Sequence, residues 1–143
     1  MENTVQGRFA PGNIEKILLD HSIRPTVQRV EIARILLARP QHLSADQVLL
    51  KTNQQKAPVS KATVYNTLKL FAEKGLIRQM TIEPGKVFYD SNTRSHHHFY
   101  HEDTGVLEDI ETPDIAIANW PDLPQNTVRT GVDVVIRVKN KSS

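Results

Sequence analysis

The chain has 143 residues, 38% of them hydrophobic and 24% charged, with no cysteine and a formal charge of only +2. That is enough for one ordinary globular domain or two small lobes, and it excludes collagen-like, mucin-like and extensively disordered classes. The missing thiols exclude disulfide staples, thiolate zinc fingers, iron–sulfur clusters and cysteine nucleophiles, so any metal must be held by nitrogen and oxygen. No stretch reaches the roughly 20 apolar residues that span a bilayer, and Met1–Pro11 has no apolar signal core, so a soluble cytoplasmic protein is expected. The charge is uneven. Residues 1–84 carry 12 basic and 7 acidic side chains, a balance of +5, and residues 85–143 carry 6 and 9, a balance of −3. Such a split suggests polyanion binding at the front and cation binding at the back, or simply two solvated surfaces.

In chain order, Ile14, Ile17 and Leu18 stand at helical spacing within Asn13–His21, as do Val27, Val30, Ala33, Ile35 and Leu37 within Val27–Leu37. Pro25 cannot continue the first helix, the Thr26 hydroxyl can cap the second, and Arg39-Pro40 closes it. Ser44-Ala45-Asp46-Gln47 has capping-box form and opens a third helix to about Thr52. Ser60 caps a fourth, Lys61–Lys74, which Gly75 ends in the left-handed conformation. Its apolar face is Val64, Leu68, Phe71 and Ala72; Ala62, Asn66, Lys69 and Glu73 lie roughly opposite. Leu76–Ile82 and Lys86–Asp90 read as strands around Glu83-Pro84-Gly85, where Pro presets one turn dihedral and Gly supplies the positive one. Three short helices, a longer polar-faced helix and a hairpin are the order of a winged helix-turn-helix.

After Asp90 a polar loop, Asn92–Ser95, leads to the run His96–His101, then Val106–Ile110, the Pro-punctuated Thr112–Pro124, and Thr130–Lys139. In the last, Val132, Val134, Ile136 and Val138 alternate with Asp133, Val135, Arg137 and Lys139, as in a strand. These form a small α/β lobe whose thin sheet has a bare face suited to pairing with its own copy. The expected fold is α+β, with a winged helix-turn-helix DNA-binding domain at 1–90 and a small α/β dimerisation and sensing domain at 91–143.

Two constellations carry chemistry. A helix that reads DNA presents short polar and basic groups to base edges while apolar residues pin its back, and Lys61, Thr63, Tyr65, Asn66 and Lys69 fit that need. Arg78 and Lys86 on the hairpin and Lys16 on the first helix are placed to reach flanking phosphates. The alternative is an ordinary amphipathic helix with a solvated face. The second constellation is the histidine run, bracketed by Asp90 before it and Glu102, Asp103, Glu108, Asp109 and Glu111 after it. Imidazole with carboxylate and no sulfur suits Fe²⁺, Mn²⁺, Zn²⁺ or Co²⁺. Neighbouring strand residues point to opposite faces, so His96 and His98 do not readily share one metal with His97. No Ser-His-Asp order, phosphate loop or HExxH motif is present, which leaves a His/carboxylate metallohydrolase as a remote alternative, and His21 fits a helix end.

Taken in order, Arg24-Pro25-Thr26-Val27-Gln28-Arg29, His42-Leu43-Ser44-Ala45-Asp46, Ala62-Thr63-Val64-Tyr65-Asn66-Thr67-Leu68 and His96-His97-His98 resemble the signature segments of the ferric uptake regulator (Fur) family of bacterial metal-sensing repressors. The resemblance implies a winged helix joined to an α/β dimerisation domain, and a cytoplasmic homodimer, or a tetramer built from it, on palindromic double-stranded DNA with no membrane role. The usual CxxC zinc site is missing and HHHDH reads HHHFY, so the chain is most similar to the iron response regulator (Irr) branch, which represses or activates iron and haem genes according to haem availability. The implied interdomain metal site falls on His42, Asp90 and Asp109, with the remaining histidine from His98 or His101. A second family site uses the middle histidine, His97, but its partners are missing here. Haem would take an axial imidazole from His96, His97 or His98. A winged-helix binder without a working sensor is the competing reading.

Overall fold

The computed structural model describes residues 13–54, 58–93, 96–110 and 115–142. The readings of Met1–Pro11, of the loop positions Arg94 and Ser95, and of Thr112–Asp114 lie outside the described residues. The chain divides into two units, Met1–Thr93 and Arg94–Ser143.

The first unit runs α1 (Ile14–Asp20), α2 (Val27–Leu36), β1 (His42–Leu43), α3 (Ala45–Asn53), α4 (Lys61–Glu73), β2 (Arg78–Glu83) and β3 (Lys86–Asp90). Local chemistry sets the helix ends. Thr26 accepts from the Arg29 amide at 3.2 Å, Ser44 and Gln47 close a reciprocal capping box, and Ser60 accepts from the Thr63 amide at 3.1 Å. Gly75 has φ +77°, and the Leu76 amide then reaches back to the Phe71 carbonyl at 2.9 Å, a Schellman-type end. Val64, Leu68 and Phe71 of α4 are fully buried against Leu18, Ile32, Leu36 and Val48 of the other three helices, which makes one apolar core. Thr67 joins the buried face of α4, while Ala72 is only partly buried.

The wing is a hairpin. β2 and β3 pair antiparallel, with Glu83 opposite Lys86 across Pro84-Gly85, and Gly85 has φ +80°. The first strand begins later than its β-rich composition suggests, at Arg78, because Leu76 and Ile77 are used to plug the core immediately after the helix. β1 adds to the free edge of β3, giving the order β1-β3-β2. Two residues carry no periodicity, and β1 exists because of what flanks it. The Ser91 hydroxyl accepts from the Gln41 amide at 3.0 Å and lies 3.1 Å from the Arg39 and Gln41 carbonyls, and the Ser91 amide donates to the Gln41 carbonyl at 2.9 Å. This clamp holds His42 directly opposite Asp90 in the ladder.

The second unit contains β4 (His98–His101), β5 (Val106–Asp109) and β6 (Val135–Val138), ordered β5-β4-β6 with β6 parallel to β4. The strand expected over Thr130–Lys139 is only four residues long, since β4, its pairing partner, is itself four residues. No helix occurs among the described residues of this unit. Pro121 and Pro124 interrupt the stretch before β6, and Asn119 and Asn126 there adopt φ of +58° and +61°. The whole is an α+β protein, a winged helix-turn-helix followed by a small sheet-bearing unit. Among the described residues no helix is long and apolar enough to cross a membrane.

Candidate metal centre and nucleic-acid face

In the second unit, strand alternation does most of the work of site building. His98 and Asp109 are directly opposed in the β4–β5 ladder, which puts both side chains on one face, and His96, two residues before His98, follows the same alternation. The Nε2 atoms of His98 and His96 approach the same oxygen, Asp109 Oδ1, at 3.0 and 3.2 Å, and the two rings are 4.3 Å apart. His98 is fully buried, and although the Asp109 side chain is 43% exposed, the Oδ1 atom that both rings approach is itself buried. Two imidazole nitrogens and a carboxylate oxygen within 4.8 Å of one another fit a divalent cation. With metal–ligand bonds of about 2.0–2.1 Å, donors sit roughly 3.0–3.4 Å apart, close to the separations seen here.

The remaining histidines are employed differently. His97, expected as a metal and haem ligand, points to the other face. Its Nδ1 accepts the Val134 amide proton at 3.0 Å, which leaves the proton of a neutral ring on Nε2 and no free lone pair for a metal. His101, expected as a ligand, pairs with Glu108 at 2.7 Å. His96, expected only as a haem ligand, stands among the atoms that could hold a cation. The i, i+2 alternation of His96 and His98 could have revealed it from the sequence.

In the first unit His42 and Asp90 face each other as cross-strand partners. The His42 ring stands edge-on to Phe88 at 6.3 Å, and Asp90, buried, accepts from the Asn92 amide at 2.8 Å. The His21 ring lies 2.8 Å from the Ile17 carbonyl, a helix-end contact of the kind expected.

The polar face of α4 presents Lys61, Tyr65, Asn66 and Lys69 to solvent, with Thr63 half-buried. Lys86 on β3 is exposed, Arg78 on β2 is half-buried, and Lys16 is neutralised by Asp20 at 3.1 Å. Thr63, Asn66, Thr67 and Leu70 of α4 line an open recess of about 320 Å³ with Thr26, Gln28 and Arg29. Gln28 and Arg29 are thus polar groups beside α4 that the sequence alone did not bring there. The Tyr65 hydroxyl donates to Asp46 at 3.0 Å, and the resulting hydrogen bond raises the phenol above its ordinary pKa.

These features define a class: a winged-helix protein with a polar, basic helix on one unit and a strand-borne nitrogen and oxygen cation cluster on the other. A model described as the ferric uptake regulator family matches residues 20–126, and the chain belongs to that family. A peroxide-responsive repressor, PerR, of Staphylococcus aureus strain Mu50 is 31% identical over 93 residues, covering 65% of this chain and 63% of the relative. The fold matches the ferric uptake regulator from Pseudomonas aeruginosa with manganese, with a TM-score of 0.67 at 20% identity over 90% of this chain and 98% of the other. It also matches a zinc-bound manganese uptake regulator, with a TM-score of 0.65 at 22% identity over 88% and 98%.

Proposed function

We propose that this protein is a metal-responsive transcriptional regulator rather than an enzyme, a cytoplasmic homodimer that reads palindromic double-stranded DNA with α4. His96, His98 and Asp109 hold a divalent transition metal, iron, manganese or zinc. His42 and Asp90, side by side on the first unit, complete its shell. Five residues lie between Asp90 and His96, a span of at most about 20 Å over six steps of chain, so the two half-sets can meet around one ion. Bound this way, the metal would tie the DNA-reading unit to the second unit, and occupancy would bias the arrangement of the two by its differential affinity for each. The observation that carries this reading is the convergence of two imidazoles on one carboxylate oxygen in a member of this family.

The iron- and haem-linked form of the proposal, an iron response regulator-like sensor, rests on His96-His97-His98-Phe99-Tyr100 and the absence of cysteine. Calorimetric titration with Mn²⁺ tests the metal site. Replacing His96, His98 or Asp109 by Ala should abolish binding, and His42→Ala or Asp90→Ala should weaken it, while His97→Ala and His101→Ala bind like wild type. Affinity should also decline on acidification, because ligating imidazoles must be unprotonated. A His96→Ala, His98→Ala double variant that retains full affinity would sink the assignment. The absorbance spectrum on haem addition tests the finer reading, which predicts a Soret shift lost when His96, His97 and His98 are all replaced.

A further inference from the structure

Tyr65 is tied to another helix of its own unit. Asp46 stands in the first turn of α3, and its Oδ1 accepts the Tyr65 hydroxyl proton at 3.0 Å. The Lys61 ammonium, one turn back on α4, lies 5.5 Å from the centroid of the same ring. A phenol has one proton to give. Once that proton is committed to a carboxylate, the outward lone pairs on Oη can only accept, and the charge-assisted bond resists rotation of the hydroxyl. The same bond opposes ionisation, since a phenolate would face the Asp46 carboxylate at close range; the phenol is accordingly raised. Lys61 keeps a positive charge beside the Tyr65 ring on a face that must approach phosphates.

We propose that Asp46 is a positioning residue for base readout: it fixes the Tyr65 ring and makes its hydroxyl an acceptor-only group, so that Tyr65 selects base edges carrying an amino donor. The inference rests on the reading of α4 as the helix that enters DNA. In the major groove the donors are the N6 amino group of adenine and the N4 amino group of cytosine, whereas guanine offers N7 and O6 and thymine offers O4, all acceptors; each base pair thus carries one amino group, and an acceptor-only hydroxyl selects adenine or cytosine over guanine or thymine on the strand it faces. A tyrosine without Asp46 rotates its hydroxyl to donate or accept and loses this preference. Asp46 also suits the positive end of α3. That role alone predicts a change in stability and none in base choice.

The experiment is selection from a random duplex library by the full chain loaded with Mn²⁺, run with wild type, Asp46→Ala, Asp46→Glu and Tyr65→Phe. Wild type and Asp46→Glu, which keeps an acceptor, should enrich adenine or cytosine at one position in each half-site. Asp46→Ala and Tyr65→Phe should lose that preference by about tenfold, the size expected for one base contact. In parallel, Asp46→Ala should lower the alkaline titration of the phenolate absorbance band, with the Tyr65→Phe spectrum identifying which tyrosine moves. An Asp46→Ala protein that folds and selects the wild-type base at every position overturns the proposal. A position lost in Tyr65→Phe at which wild type accepts guanine or thymine as readily as adenine or cytosine on the same strand overturns it while leaving the DNA-reading helix intact, and no enrichment by wild type overturns both.

Discussion

Asp103 lies in the turn between β4 and β5, where one of its oxygens accepts the Asn140 amide proton at 3.0 Å just beyond β6. That hydrogen bond, followed by weaker local ones, lowers the carboxyl below its ordinary value. A folded value below the unfolded one means that the stabilisation is present above the ordinary Asp range and is lost as pH falls through the folded value. The protection of the Asn140 amide, its exchange rate relative to the intrinsic rate at each pH, should therefore fall in acid, and Asp103→Asn should show the lower protection already at neutral pH. An Asn140 amide that is equally protected in both proteins would refute the link. His97 shows where single residues cease to be legible. Alternation places it opposite His96 and His98, but its partner is an amide 37 residues away, and no local pattern encodes that meeting.

Helix ends were legible because capping is local: Thr26, Ser44 and Ser60 each bond an amide three residues on. Ser60→Ala should destabilise the first unit by about 1 kcal/mol, within the usual range for a lost cap. Phe71→Ala, which empties the middle of the core, should cost roughly 3–5 kcal/mol. Both are read as urea midpoints at constant slope. The strands were less legible, because a strand extends only as far as its neighbour offers a ladder. Within Thr130–Lys139 the alternation covers eight positions yet the strand pairs over four, and β1 was invisible because its cause is the Ser91 clamp. Ser91→Ala leaves the Gln41 amide without that acceptor and should cost about 1–3 kcal/mol. If the clamp orders β1, the same change weakens Mn²⁺ binding, while Ser91→Thr, which keeps the hydroxyl, preserves most of it.

Across the whole chain the charge split corresponds to the division into units, basic residues on the winged helix and acidic residues around the histidines. DNA affinity carried by Lys61 and Lys69 should fall steeply with salt, and replacing either by Ala should lower the slope of log K against log salt by about 1. A slope unchanged in both variants would move the phosphate contacts off α4. The order of the second sheet has a kinetic corollary. β4 and β5 are joined by four residues and close as a hairpin through the Gly105 amide and the His101 carbonyl at 2.8 Å, whereas β6 must return in parallel register from far along the chain. Hairpins close in about 1–10 μs, and long-range parallel pairing is slower because the loop entropy is lost before any contact compensates it. His98 and Asp109 are therefore expected to come together before β6 arrives, and Val134, just ahead of that strand, then adds its contact to His97.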